Sequence, residues 1–120
     1  MKCILRNKQP DFTRVVKLND EVVGTIHAIT KVDEGFALSY AMDEGGKLNP
    51  YAYTVARIYR SLIGHGAGWE LVDEKGKELK VTIENVNLLP DDIHNALAKA
   101  VAEINNVTEE HLGNLNEQSD

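Results

Sequence analysis

The sequence contains little cysteine and no long apolar run. Its 120 residues include one cysteine, Cys3, which excludes an intramolecular disulfide framework and a zinc site with several thiolates, and is typical of a reducing compartment. No apolar run approaches the roughly 18 residues that a membrane-spanning helix needs, and residues 1–8 lack the apolar core of a signal peptide. We therefore expect a cytoplasmic protein that has no membrane partner and is stabilised by packing alone.

Patterns that indicate catalysis or metal binding are also missing. The four histidines lack the i, i+4 or short-loop spacing of a metal site, and we expect His94 and His111 on the solvated surface. Residues 64–68 are rich in glycine but follow a predicted helix, so they predict a flexible connector with positive φ and not a phosphate-binding loop. Each pair of adjacent acidic residues coincides with a predicted turn or helix start. The sequence therefore predicts no enzyme, no cofactor and no metal site.

Acidic residues exceed basic ones, but not evenly along the chain. Nineteen Asp and Glu against 13 Lys and Arg give a net charge of −6, which opposes general attraction to nucleic acids. Residues 1–18 nevertheless carry a net charge of +4, and residues 108–120 carry −4 with little apolar content. We expect one globular domain over residues 1–107 and a loosely ordered acidic tail over 108–120.

The first third of the sequence has the pattern of β-strands. Residues 12–18, 22–30 and 36–42 are short runs that contain β-branched or aromatic residues, and turn-forming residues separate them at 19–21 and 31–35. These runs predict three antiparallel strands in a meander, which the glycine-containing residues after the third strand bring to an end.

The middle of the sequence changes to helical periodicity. Asn49 is a good helix N-cap, and Pro50 fits the first helical turn. The apolar spacing that follows predicts a helix over residues 51–63. Gly64 is suited to end this helix, because glycine readily adopts the left-handed conformation that follows a last helical turn.

Two further segments complete the predicted fold. An Asp-Glu-Lys-Gly turn between residues 69–72 and 79–82 predicts a short hairpin or an ordered loop, followed by a helical turn that Thr82 caps. The apolar residues of this hairpin are predicted to share one face: Trp69, Leu71, Leu79 and Val81. Residues 90–105 predict the second main helix. The fold class is therefore α+β, with a small N-terminal antiparallel β-meander followed by two main helices.

One helix surface has the composition of a protein-binding site. Tyr51, Tyr53, Arg57, Ile58 and Arg60 surround the second face of the predicted middle helix, and Tyr and Arg are common at binding hot spots. Such residues are equally common at the rim of a core. The predicted partner-binding residues are these five together with Trp69 in the neighbouring hairpin.

Four segments of the second half resemble tail assembly chaperones of long-tailed bacteriophages. They read ARIYRSLI at 56–63, GWELVDEKGK at 68–77, VTIENV at 81–86 and LLP at 88–90, before the closing helix. In that family a helix commonly leads to a Trp-containing segment, an acidic Asp-Glu-x-Gly turn, a Thr-x-Glu-Asn helix start and a C-terminal helix. The resemblance covers about residues 55–110, and known members of the family are mainly helical.

The resemblance implies a non-catalytic helper protein of phage tail assembly. Such a protein self-associates and coats the long, largely helical tape measure protein before tail tube protein polymerises around it. The implied partners are the tape measure protein, the tail tube protein and further copies of the chain, in the cytoplasm of the host cell. Two alternatives are a virion structural protein of the tail or connector, and a nucleic-acid-binding accessory protein that acts through the basic residues of segment 2–17.

Overall fold

The computed structural model describes residues 13–64 and 66–118, with side chains as far as residue 106. Its strands and helices, in chain order, are β1 Thr13–Leu18, β2 Glu21–His27, α1 Lys31–Ala41, α2 Pro50–Leu62, β3 Gly68–Trp69, α3 Ile83–Asn87 and α4 Asp91–Gln118. A three-stranded antiparallel sheet is combined with helices, so the predicted α+β fold class is confirmed. Cys3 and most of the predicted basic N-terminal segment lie outside the described residues.

β1 and β2 form an antiparallel hairpin with a two-residue turn. Leu18 lies opposite Glu21 at the turn end of the hairpin. Asn19 and Asp20 both have positive φ, 52° and 65°, which is the backbone of a type I′ turn and matches the twist of the flanking strands. The predicted turn and the strands on either side of it are confirmed, although β2 ends at His27, three residues earlier than predicted.

The predicted third strand over 36–42 is wrong, because these residues belong to α1 and its C-cap. The hydroxyl of Thr30 accepts a hydrogen bond from the N–H of Asp33, and the Asp33 carboxylate accepts one from the N–H of Thr30, so the two residues form a capping box. The following run, Phe-Ala-Leu-Ser-Tyr-Ala-Met, lacks β-branched residues and contains good helix formers. Capping and propensity together favour a helix, although residues 31–35 have a turn-like composition.

The third strand of the sheet is β3, which adds to the free side of β2. Gly24 lies opposite Trp69. The two backbones approach so closely that a Cβ on Gly24 would lie 2.6 Å from the carbonyl oxygen of Gly68, so no larger residue fits at position 24 without a backbone shift. The strand order is β1-β2-β3, with α1 and α2 inserted in the chain between the second and third strands.

The predicted start and end of α2 are confirmed. The Asn49 side chain accepts hydrogen bonds from two N–H groups of the first turn, at 3.0 and 3.1 Å, and Pro50 occupies the first helical position. The helix ends at Leu62, and Gly64 has a φ of 109°. A side chain at position 64 would be strained in this conformation, which glycine adopts readily.

The segment between α2 and α4 is a short hairpin followed by a helical turn. A bridge pairs Val72 with Glu78 around the predicted turn. The four apolar residues predicted to share one face all lie in or against the core: Trp69, Leu71, Leu79 and Val81. The hydroxyl of Thr82 accepts a hydrogen bond of 3.1 Å from the N–H of Asn85 and caps α3. These features of the prediction are confirmed.

α4 begins where the sequence predicts it and extends further. Asp91 and Asp92 lie in its first turn, where negative charge is favourable for the helix dipole. The helix runs to Gln118, past the predicted end at residue 105. The sequence that follows residue 105 contains no proline, and its one glycine, Gly113, lies within the helix. The backbone of the predicted tail over 108–120 is thus helical as far as residue 118, and its loose attachment stays a prediction.

The hydrophobic core lies between the sheet and helices α2, α3 and α4. Its buried members are Val16, Val23, Ile26, Ile29, Val55, Ile58, Leu62, Trp69, Val86, Leu89, Leu97, Ala100, Val101 and Ile104. None of these residues belongs to α1, which packs on α2 instead. No helix in the described part of the chain is long and apolar enough to cross a membrane.

Candidate protein-binding surface

The fully buried residues that α1 places against α2 are small. The buried residues of α1 are Asp33, Ala37 and Ala41, and their spacing of four places them on one face of the helix. The two alanines let the helix backbones approach closely, but they remove little apolar surface from water. α1 therefore depends on α2 for its position while contributing little to the hydrophobic core.

Two ion pairs join the same helices. The Arg60 Nε donates a hydrogen bond of 2.8 Å to Asp33 Oδ1, while Asp33 Oδ2 accepts hydrogen bonds from the N–H and the hydroxyl of Thr30, both 3.0 Å long. Arg57 Nε lies 3.5 Å from a carboxylate oxygen of Glu34. Because the Asp33 side chain is only 8% exposed, removal of Arg60 would leave a buried carboxylate without its counter-charge.

Aromatic rings extend this contact along one edge of α1. Phe36 stacks on Tyr40, with ring centroids 6.3 Å apart, and contacts Tyr59 of α2 with centroids 6.1 Å apart. The Arg60 guanidinium also lies 4.9 Å from the ring centroid of Phe36, within the range of a cation–π interaction. Arg60 therefore contacts α1 through both its charge and its planar face.

The six residues predicted to bind a partner do not share one exposed face. Arg57 and Arg60 bind α1 through the ion pairs above, and the Arg57 guanidinium lies 5.4 Å from the ring centroid of Tyr53. Tyr51 is 55% exposed and stacks on His94, with ring centroids 5.5 Å apart. The chain's own α1 thus covers much of the α2 surface that the sequence predicts to be free.

Ile58 and Trp69 lie in the core instead of on a binding surface. Ile58 is fully buried and Trp69 is 6% exposed. α2 is enclosed from two sides, by α1 and by the core, so residues beside its main apolar stripe are also buried. Trp69 pairs with Gly24 in the sheet, and its Nε1–H donates to the carbonyl of Leu79. Partner binding by the other four predicted residues stays a prediction.

Large exposed apolar side chains are concentrated on α1, the loop that follows it and the first turn of α2. Eleven large hydrophobic residues are exposed in the described part of the chain, and seven of them fall between positions 32 and 51: Val32, Phe36, Leu38, Tyr40, Met42, Leu48 and Tyr51. A concentration of exposed apolar residues is typical of an interaction site. These seven residues are called the apolar α1 surface below.

Helical geometry gives the outer side of α1 the shape of a shallow trough. Two small residues, Gly35 and Ser39, lie on the strip that faces away from α2. Large exposed side chains flank this strip, with Val32 and Phe36 on one side and Leu38 and Met42 on the other. A Cβ built on Gly35 would meet no atom within 4 Å. The floor of the trough is therefore open to an incoming group.

The two ends of α1 carry opposite charges. At its start, the side chain of Lys31 is exposed. After its end, an antiparallel bridge between Met42 and Leu48 closes a tight loop, and Asp43 and Glu44 are exposed in that loop. The Asp43 side chain accepts a hydrogen bond of 2.8 Å from a backbone N–H four residues further along the chain, which fixes the loop. The loop also contains Lys47, which is exposed, so its net charge is −1. The apolar trough is thus bounded by a cation at one end and a loop of net negative charge at the other.

The histidines of the described residues do not form a metal centre. No group of three or more His, Cys, Asp or Glu side chains that could hold a metal ion occurs there. One ring nitrogen of His27 lies 2.6 Å from the carbonyl oxygen of Ile63, which links the end of β2 to the end of α2. The predicted surface position of His94 is wrong, since this residue is 8% exposed. His65 and the side chain of His111 lie outside the described residues.

A groove of about 510 Å³ lies between the end of α2 and the hairpin. Its lining consists of Leu62, Ile63, Gly64, Ala67, Gly68, Trp69, Glu78, Leu79, Lys80 and Val81. The three glycines of the connector all have positive φ, as the sequence predicts. Most of the lining side chains are apolar, but polar atoms make up a large share of the lining surface, and Glu78 and Lys80 add two opposite charges.

The sequence prediction missed the apolar α1 surface because it assigned residues 36–42 to a strand. The spacing Thr30-x-x-Asp33 is the signal that could have revealed the helix, since Asp can complete a capping box as Glu does. The chain matches no protein-family model, no curated protein and no solved structure.

Proposed function

We propose that this chain is a non-enzymatic bacteriophage tail assembly chaperone that acts in the host cytoplasm, self-associates and binds the tape measure protein during tail morphogenesis. The observation that carries the proposal is the apolar α1 surface, which holds seven of the eleven exposed large hydrophobic residues of the described chain. The resemblance of residues 55–110 to tail assembly chaperones is the reason for proposing the tape measure protein as the client.

The shape of the surface suits a helical client. An amphipathic helix binds by laying its apolar side chains into a groove lined by apolar residues. The trough over Gly35 is open, and the flanking residues Phe36 and Leu38 are each more than a third exposed. A largely helical tape measure protein would expose many such apolar stripes before tail tube protein covers it.

The weak coupling of α1 to the core supports a binding role for this helix. α1 is held by Ala37, Ala41, two ion pairs and the contacts of Phe36 with Tyr59 and Arg60. None of its residues belongs to the hydrophobic core, so a shift of α1 on α2 would cost little core packing. Adjustable, apolar surfaces are typical of proteins that bind several related segments of a client. The net charge of −6 keeps a protein with such a surface soluble.

Co-expression with tagged fragments of the tape measure protein from the same genome tests the proposal. The wild-type chain should be retained by at least one fragment, and Leu38→Glu should weaken retention about tenfold or more, because it places a charge in an apolar contact. Leu88→Glu is the matched control, since Leu88 is 77% exposed and lies outside the α1 surface. A wild type that no fragment retains would contradict the proposal, as would a loss of binding with Leu88→Glu but not with Leu38→Glu.

Mass spectrometry of purified particles separates the chaperone from a virion structural protein. A chaperone leaves the tail when tail tube protein polymerises, so peptides of this chain should be absent from mature particles. Stoichiometric amounts of the chain in the particle would instead establish the structural alternative.

A further inference from the structure

We propose that α1 also pairs with α1 of a second copy, in an antiparallel dimer with two-fold symmetry that covers the trough when no client is bound. The dimer would shield the client site, and this role rests on the proposed function. The geometry of the dimer rests only on the described residues. An interface of this symmetry brings the same surface of both copies together and must be self-complementary.

The residues along the trough meet this requirement when the two helices run antiparallel and cross at the level of Ala37. Each large side chain on one copy then faces a large side chain of the other, and each small residue faces a small one. In the centre of the contact, Val32 of one copy lies beside Met42 of the other and Gly35 lies beside Ser39. On the two edges, Phe36 lies next to Phe36 of the other copy and Leu38 next to Leu38. All four large residues are exposed, from 37% for Phe36 to 72% for Val32, so the pairing removes apolar surface that nothing in the described chain covers.

The charges at the ends of α1 favour the antiparallel direction. In this arrangement the exposed Lys31 of one copy lies near Asp43 and Glu44 of the other, and the contact occurs twice because of the two-fold axis. In the described structure none of these three side chains takes part in an ion pair. A parallel pair would instead place Lys31 next to Lys31 and the acidic loops next to each other. Charge complementarity of this kind selects orientation more than it raises affinity.

Gly35 supports a close approach of the two helices. Glycine inside a helix lowers stability by about 1 kcal/mol relative to alanine, and the space beside Gly35 is empty to a distance of 4 Å. A missing side chain at the crossing point allows the backbone of a second helix to come near.

The area available limits the strength of the dimer. The four large side chains expose on the order of 300 Å² of apolar surface in each copy, so a pair of faces buries less than the roughly 1,200 Å² of a stable interface. We expect a reversible dimer with a dissociation constant on the order of 10–100 µM. A client helix that makes more contacts would then displace the second copy from the trough.

Sedimentation equilibrium of the full chain from about 5 µM to about 500 µM tests the dimer. The wild type should change from monomer to dimer over this range. Gly35→Gln should weaken dimerisation about tenfold or more, since it fills the crossing point while raising helix propensity. The control Val72→Gln alters a side chain that is 62% exposed outside the trough and should dimerise like the wild type. A wild type that is monomeric throughout overturns the proposal, as does a Gly35→Gln variant that dimerises as well as the wild type.

Charge reversal tests the antiparallel direction. Lys31→Glu and Glu44→Lys should each weaken dimerisation several-fold at low salt, because each places like charges together in its own dimer. An equimolar mixture of the two variants should dimerise more tightly than either variant alone. In the mixed dimer the new glutamate at position 31 of one copy meets the new lysine at position 44 of the other, and the second end contact is that of the wild type. A mixture that dimerises no better than the separate variants overturns the antiparallel pairing.

The same samples distinguish failure of this inference from failure of the proposed function. A chain that stays monomeric but is retained by a tape measure fragment through Leu38 overturns the dimer and leaves the function standing. A chain that dimerises with the expected variant responses but binds no fragment sustains the dimer and overturns the function.

Discussion

The two sides of α2 are held in different ways. The side toward the core buries large apolar residues, such as Ile58 and Leu62 at 0% and 1% exposure. The side toward α1 meets two alanines, two ion pairs and the half-exposed ring of Phe36. This difference teaches that the stability of the fold resides mainly on one side of α2, whereas α1 is positioned by specific contacts that leave its own apolar residues in water.

The same difference separates folding from recognition. Full burial of a large apolar side chain stabilises a protein by roughly 1.5–3 kcal/mol, yet α1 and its loop leave six such residues exposed. Substitutions in the core should therefore change the free energy of unfolding, and substitutions on the outer side of α1 should change binding with little effect on folding.

The largest expected effect is at Ile58, which the sequence alone assigns to the binding surface. Ile58→Ala should lower the free energy of unfolding by about 3 kcal/mol, because it removes buried methyl and methylene groups and leaves a cavity in the core. Urea denaturation followed by circular dichroism measures this change. The control Val72→Ala, at a side chain that is 62% exposed, should change the free energy by less than about 0.5 kcal/mol.

A different outcome would reverse the assignment of the two sides of α2. If Ile58→Ala keeps nearly the full free energy of unfolding but weakens retention by the tape measure fragment, Ile58 belongs to the binding surface and the core does not depend on it.

A smaller and more local effect is expected at Arg60. Arg60→Ala removes the partner of the buried Asp33 carboxylate and the contact with the Phe36 ring. Asp33 keeps its hydrogen bonds from Thr30, so the free energy of opening α1 should fall by about 1–2 kcal/mol. Amide hydrogen exchange should then become about tenfold faster in α1, with a smaller change in α4.

Arg14 provides the matched control for this experiment. Its ion pair with Glu103 is shorter, 2.7 Å, but the two side chains are 47% and 42% exposed, and such pairs contribute less than about 1 kcal/mol. Arg14→Ala should leave exchange in α1 unchanged. If Arg60→Ala accelerates amide hydrogen exchange equally in α1 and in the core, α1 opens only together with the core. That result would contradict the separate stabilities of α1 and the core described above.

The parts of the fold that follow from local chemistry could be predicted from the sequence. Asn49 and Thr82 cap helices because their side chains accept hydrogen bonds from nearby N–H groups. The turn at 19–20 and the helix end at Gly64 depend likewise on residues close in sequence. The same local logic failed at residues 31–42, where the capping box of Thr30 was hidden within a turn-like composition.

The location of the candidate site could not be predicted, because it depends on contacts between distant residues. Arg60 resembles a free surface cation in the sequence, but its partner, Asp33, lies 27 positions away. The backbone N–H of Ile29 donates to the side chain of Asn105, 76 positions away, just before α1 begins. Only the folded chain reveals that α1 covers the predicted face of α2 and presents a new face of its own.

The smallest expected effect is at Gly35, where a substitution should raise the free energy of unfolding instead of lowering it. Gly35→Ala should stabilise the monomer by about 0.5–1 kcal/mol, because alanine has the higher helix propensity and the added methyl group meets open space. Gly24→Ala is the matched control, since a Cβ there would lie 2.6 Å from the carbonyl oxygen of Gly68, and such overpacking lowers stability by about 1–3 kcal/mol. Thermal unfolding well below the concentration of self-association measures both changes. Changes in stability of opposite sign for these two Gly→Ala substitutions would establish that α1 has room on its outer side while the sheet has none. A loss of stability at both positions would instead mean that the monomer itself covers the trough.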